Sequence, residues 1–162
     1  MIEHDIIFQK ERDGSPVKSL ITDFKMVCLS FPAHPPLEAK DVATDDWPDE
    51  NGEDSFEPDI LPLKAYNLEV QIGYYGESGT ANTKVLDFIK YLLGHDNYGA
   101  KLKMYNPHTG MGCKGVRFVR YTPEQYQYLS DDLMVFTITF RVTDPVNSTS
   151  PIYTNDIITG LS

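Results

Sequence analysis

The stretch Thr83–His95, TKVLDFIKYLLGH, is the one segment of this chain whose pattern is typical of an amphipathic α-helix. Asn82 or Thr83 is suited to cap its start, and Gly94 is suited to end it in a left-handed conformation. Apolar residues at three- and four-residue spacing predict its buried face: Val85, Leu86, Ile89, Leu92 and Leu93. Because one helix among strands must bury that face against a sheet, charge substitutions at Leu86, Ile89 or Leu93 are predicted to unfold the domain.

The segments around this helix alternate apolar and polar residues, a pattern typical of strands with one buried face. An Asp-Gly turn at 13–14 indicates an N-terminal hairpin. Thr122–Asp132 is polar, and its Thr-Pro-Glu start indicates one helical turn. The predicted strands are His4–Gln9, Val17–Ile21, Phe24–Ser30, Tyr66–Tyr74, Ala100–Tyr105, Lys114–Tyr121 and Met134–Val142. The sequence therefore predicts an α+β fold, mostly an antiparallel β-sandwich or split barrel, with one flanking helix at about residues 83–94.

The composition, 41% hydrophobic and 12% aromatic, is that of a globular chain, and the length fits one domain. We expect a β-rich domain over residues 1–145 and a polar C-terminal arm over residues 146–162. No apolar run is long enough to span a bilayer, and Met1–Lys10 lacks the basic start of a signal peptide, so cytosolic folding without a membrane partner is expected. Cys28 and Cys113 are expected to be buried, reduced thiols.

Acidic charge is concentrated in one segment. The net charge is −10, and ten acidic residues but only one basic residue, Lys40, lie between Leu37 and Asp59. Prolines and a lack of periodicity predict a long acidic loop at about residues 32–62. Because the rest of the chain is nearly neutral, no direct nucleic-acid binding is expected. Aromatic residues among the acids predict a partner-contact loop made of Asp45, Asp46, Trp47, Asp49, Glu50, Glu53, Asp54 and Phe56.

Residue types that carry chemistry do not fall in the spacings that chemistry requires. The histidines and cysteines lack the paired spacing of zinc sites. Aligning Gly52 with the EF-hand glycine puts Trp47 and Pro58 at the anchoring ligand positions, where acids are needed. Gly76–Gly79 matches neither a nucleophile elbow nor a phosphate-binding loop. The sequence therefore predicts a non-enzymatic protein without catalytic residues, cofactor or metal.

From Leu61 onward, the order of elements resembles the N-terminal domain of tailed-phage distal tail proteins. The matching segments are YNLEVQIGYYG (66–76), KVLDFIKYLLG (84–94), AKLKMYNPHTG (100–110), GVRFVRY (115–121) and MVFTITFRVTDP (134–145). The resemblance implies a structural protein of a phage or prophage tail, assembled in the cytoplasm and carried in the virion tail. It implies a hexameric ring that joins the tail tube to the baseplate or tip, with other tail proteins as partners. Tail-tube proteins share similar arrangements.

Two other classes of function stay open at this point. The chain is alternatively a small monomeric module that binds a basic protein or a carbohydrate through the acidic aromatic loop. A third possibility is a hydrolase whose site is too dispersed to recognise. If the chain is a ring protein, we expect it to form an oligomer; if it is a binding module, we expect a monomer that binds a ligand at Trp47. If it is a hydrolase, we expect turnover of a substrate.

Overall fold

The computed structural model describes residues 4–12, 14–32, 36–41, 44–45, 48, 51–52, 54–55, 59–127 and 131–145, with the backbone alone at 44, 45, 54, 55, 127 and 131. In chain order, its elements are β1 (Ile7–Lys10), β2 (Val17–Ser19), α1 (Leu20–Phe24), β3 (Met26–Ser30), β4 (Thr44–Asp45), β5 (Asp54–Ser55), β6 (Tyr66–Glu77), α2 (Ala81–Leu93), β7 (Leu102–Asn106), β8 (Met111–Gln127) and β9 (Asp131–Asp144). The predicted arm at 146–162 lies outside the described residues.

Seven strands form one antiparallel sheet in the order β2-β1-β7-β8-β9-β6-β3. The centre of the sheet is the long β6–β9–β8 group, in which Tyr66 pairs with Val142 and Glu77 pairs with Asp131. Alternate residues of β6 and β9 are buried, as their sequence pattern predicts. The predicted α+β class, mostly antiparallel with a flanking helix, is confirmed.

The two ends of this sheet meet. Strands β2 and β3 lie at opposite ends of the order, about 29 Å apart if the sheet were flat with its usual spacing of about 4.8 Å. The five-residue helix α1, which connects them, spans only about 7.5 Å. The Cys28 N–H in β3 accordingly donates to the carbonyl of His4, just before β1, at 3.0 Å. The sheet therefore curls like a split barrel.

Helix α2 closes the apolar core, but with a different face from the predicted one. Leu86 and Leu93 are 46% and 47% exposed, so their assignment to the core was wrong, and Ile89 is only partly buried. The Phe88 ring packs against Phe8 and Phe24, with ring centroids at 5.7 and 4.8 Å. The buried residues of α2 are Ala81, Val85, Phe88, Tyr91 and Leu92. The helix begins two residues before the predicted Thr83 and ends at Leu93, before the left-handed Gly94.

Two other local predictions were wrong. Strand β8 continues to Gln127, where one helical turn was predicted, and a bulge between Phe118 and Arg120 shifts its alternation by one residue. The bulge turns Tyr121 toward Phe136, at 5.4 Å between ring centroids. Helix α1 replaces the adjoining ends of two predicted strands, because Ser19 caps it by accepting from the Thr22 N–H at 3.2 Å.

Candidate functional site

The described parts of residues 38–64 include a two-stranded pairing that is separate from the main sheet, and we call residues 38–64 the acidic ribbon. At its base Ala39 pairs with Leu63, and the Lys40 N–H donates to the Pro62 carbonyl at 2.8 Å. Farther out, β4 and β5 pair with each other as a separate two-stranded sheet. The described part of the predicted loop is therefore an ordered hairpin-like insertion between β3 and β6.

The structure places two of the eight predicted contact residues. Asp45 and Asp54 lie directly opposite each other in the β4–β5 pair. Gly52, between the two strands, has a φ of 80°, which glycine adopts without strain. The other six predicted contact residues lie outside the described residues: Asp46, Trp47, Asp49, Glu50, Glu53 and Phe56.

The base of the ribbon combines exposed charge with exposed apolar surface. Lys64 forms ion pairs with Glu38 at 3.0 Å and Asp41 at 3.8 Å, and the hydrogen bond to Glu38 raises the pKa of Lys64. These exposed pairs contribute little to stability. Ile60 is 85% exposed, and Leu37 and Leu61 are about half exposed. A surface that exposes large apolar side chains beside charged ones is suited to contact a second surface.

A shallow apolar groove of about 350 Å³ crosses the outer face of β3, β6 and β9. A Cβ on Gly73 would lie 3.2 Å from Leu29 Cδ1, so the glycine makes room for Leu29 to lie across β6. Leu29, Tyr75, Leu133 and Val135 line the groove, and Lys25 is its one charged lining residue among those described. Its mostly apolar lining makes this surface suited to packing.

A buried carboxylate holds the N-terminus of α2. Asp132, 1% exposed, accepts from the backbone N–H groups of Gly79 at 2.8 Å and Ala81 at 3.0 Å. It also accepts from the Tyr126 hydroxyl at 2.7 Å. These bonds, the one from Ala81 first, hold the pKa of Asp132 below its ordinary value. Asp132 thus replaces the side-chain cap that Thr80 does not provide.

A buried cation holds the other end of α2. Lys10, 1% exposed, donates to the carbonyls of Tyr91 and Gly99, the latter at 2.5 Å. Its Nζ lies 3.5 Å from Asp96 and 4.4 Å from the centre of the Tyr91 ring. Burial lowers the pKa of Lys10, while Asp96 raises it. The ammonium satisfies carbonyls at the helix C-terminus and complements the helix dipole.

Sequence reasoning missed both of these buried charges. Lys10 directly follows the predicted strand His4–Gln9, where an exposed lysine would give the same pattern. Asp132 is the last residue of the polar stretch Thr122–Asp132, for which the sequence predicted only one helical turn. Lys10 and Asp132 are far apart in the sequence and are brought to the two ends of α2 only by the fold. No spacing in the sequence therefore indicates that they act on the same helix. Both charged groups already form hydrogen bonds with backbone groups at the ends of α2, so their role is structural.

The thiols are placed for packing. Cys28 and Cys113 are buried and free, which confirms their predicted burial. Burial raises the pKa of Cys28 from 9.0 to about 11 and also raises the pKa of Cys113, so little reactive thiolate forms near neutral pH. In the described parts of the chain, no three His, Cys, Asp or Glu side chains are grouped to hold a metal ion.

Neither helix in the described part of the chain has the length and apolar character needed to cross a membrane. Comparison with known protein families finds no family model that matches this sequence. Comparison with curated proteins finds no significant match either.

Proposed function

We propose that this chain is a structural subunit of a phage or prophage tail. In this role it assembles into a ring of distal-tail or tail-tube type, which joins the tail tube to the baseplate or tip. The acidic ribbon carries the proposal, because its strands β4 and β5 form a sheet of their own and its residues Ile60 and Leu61 are exposed. A neighbouring subunit would bury these side chains and supply counter-charges to the acids. The resemblance of the segments from Leu61 to Pro145 to distal tail proteins supports the same role.

The described strands of the ribbon form a sheet of their own, so the proposal can be tested by shortening the ribbon. Its base is closed by the Ala39–Leu63 pairing, and the main sheet does not include β4 or β5. A variant in which residues 42–59 are replaced by a short Gly-Ser turn, combined with Ile60→Ser and Leu61→Ser, removes the acids and the exposed apolar side chains and keeps this base. We expect it to fold with an unchanged circular dichroism spectrum and thermal transition.

Native mass spectrometry and sedimentation velocity over a range of concentrations provide the test. We expect the wild type to form one closed oligomer of defined size, and the shortened variant to remain monomeric. A wild type that stays monomeric at every concentration, or a shortened variant that assembles equally well, would overturn the proposal. The monomeric binding module predicts the first of these results together with a ligand bound at Trp47.

A further inference from the structure

Five cations share the outer face of β7, β8 and β9. On each strand they alternate with buried residues: Lys103 lies between Leu102 and Met104, and Arg141 between Phe140 and Val142. The bulge after Phe118 keeps Arg120 on this same outer face, opposite Thr139. We call Lys103, Lys114, Arg117, Arg120 and Arg141 the basic face. Such a face is unexpected in a protein of net charge −10.

The chain leaves the arginines of this face largely uncompensated. Arg117 lies directly opposite Arg141 in the β8–β9 pair, an arrangement in which like charges repel. Arg141 donates to the neutral Asn67 amide at 3.1 Å, and Lys114 pairs with Asp144 at 3.7 Å. Within the described residues, Arg117 and Arg120 form no ion pair. A partner that brings carboxylates would relieve this repulsion.

The acidic ribbon carries the complementary arrangement. Asp45 lies directly opposite Asp54 in β4–β5, just as Arg117 lies opposite Arg141 in β8–β9. The segment from Leu37 to Asp59 holds ten acidic residues and one basic residue, so its charge is opposite in sign to that of the basic face. The ribbon leaves the sheet between β3 and β6, and its strands pair with none of β7, β8 and β9.

We propose that the basic face receives the acidic ribbon of a second copy of this chain. The inference rests on the proposed assembly function and identifies the two surfaces that meet. Because ribbon and face are different surfaces, the contact is head-to-tail, and a head-to-tail contact generates a ring when its rotation closes. Charge pairing also fixes the register between copies and makes assembly weaken as salt concentration rises.

Charge reversal on each surface tests the pairing. The face variant is Arg117→Glu with Arg141→Glu, and the ribbon variant is Asp45→Lys with Asp54→Lys. Each replaces a like-charge pair by another like-charge pair, so folding is expected to be retained, as circular dichroism would check. Each variant alone is expected to raise the dissociation constant of self-association by about tenfold or more. The four substitutions combined in one chain, or an equimolar mixture of the two variants, are expected to restore assembly.

A matched control reverses two exposed lysines of α2, Lys84→Glu with Lys90→Glu, which changes the net charge as the face variant does. Its assembly is expected to equal that of the wild type. Assembly of the face variant at wild-type strength, or a combined variant that stays dissociated, would overturn the pairing but leave the ring proposal standing. A monomeric wild type would overturn both. Binding of short duplex DNA that requires Arg117 and Arg141 would identify the face as a nucleic-acid surface and also overturn the pairing.

Discussion

At the scale of single residues, two buried charges hold α2 in place. Asp132 receives the backbone N–H groups at its start, and Lys10 donates to carbonyls at and beyond its end. The two residues come from β9 and β1, which lie three places apart in the sheet. Because each charge complements the sign of the helix dipole at its end, the helix is fixed in direction as well as in position.

Lys10→Met is expected to lower the free energy of unfolding by about 2–3 kcal/mol, because one buried and one partly buried carbonyl lose their donor. Lys101→Met is the matched control, since Lys101 is 70% exposed and its ion pair with Glu11 at 3.3 Å contributes at most about 1 kcal/mol. Urea denaturation at pH 7 measures both. Equal losses in the two variants would contradict the role of Lys10.

The stability difference between the wild type and Lys10→Met is expected to depend on pH. Because burial lowers the pKa of Lys10, the folded chain binds this proton less tightly than the unfolded chain does. The contribution of Lys10 to stability therefore rises as pH increases toward its ordinary pKa of 10.5. The stability difference between the wild type and Lys10→Met is expected to be larger at pH 10 than at pH 7.

At the scale of elements, α2 contains two apolar stripes and the sheet contacts only one. Ala81, Val85, Phe88 and Leu92 face the core, whereas Leu86 and Leu93 lie on the exposed flank. Phe88→Ala is expected to cost about 3–5 kcal/mol, because its ring is fully buried against Phe8 and Phe24. Leu86→Ala is expected to cost less than about 1 kcal/mol. Thermal unfolding of both variants checks the assignment, which a larger loss at Leu86 would reverse.

The sequence was sufficient to predict that α2 exists, but not which stripe it buries. Both stripes satisfy helical spacing, and the choice depends on Phe8 and Phe24, which come from distant elements. Likewise, the strands predicted at Tyr66–Tyr74 and Met134–Val142 alternate cleanly and were predicted correctly. The bulge after Phe118 has no signal in the local sequence, so the face of the strand on which Tyr121 lies was predicted wrongly. The acidic segment was recognised by composition, yet the Asp45–Asp54 register depends on backbone pairing that no periodicity shows.

At the scale of the whole molecule, the residues that pack in the core are distinct from those of the acidic ribbon and the basic face. The curled sheet and α2 enclose the apolar core, while the acidic ribbon and the basic face carry opposite charges on different parts of the surface. The curl itself depends on the segment His4–Ile6, where the two ends of the sheet meet. A change in this segment is therefore expected to affect the stability of the entire domain.

Asp5 is the polar residue that fastens this closure. Its carboxylate accepts from the Ser19 hydroxyl at 2.6 Å and from the Ile21 N–H at 3.1 Å, tying the start of β1 to α1, which leads into β3. Asp5→Ala is expected to lower the free energy of unfolding by about 1–3 kcal/mol while unfolding stays a single transition, because both ends belong to one sheet. Asp87→Ala, at an exposed position of α2, is the control and is expected to cost nothing, because alanine favours the helix. Urea denaturation followed by both circular dichroism and tyrosine fluorescence measures these values. A loss at Asp5 no larger than at Asp87, or two separate transitions, would show that the ends of the sheet are held together elsewhere.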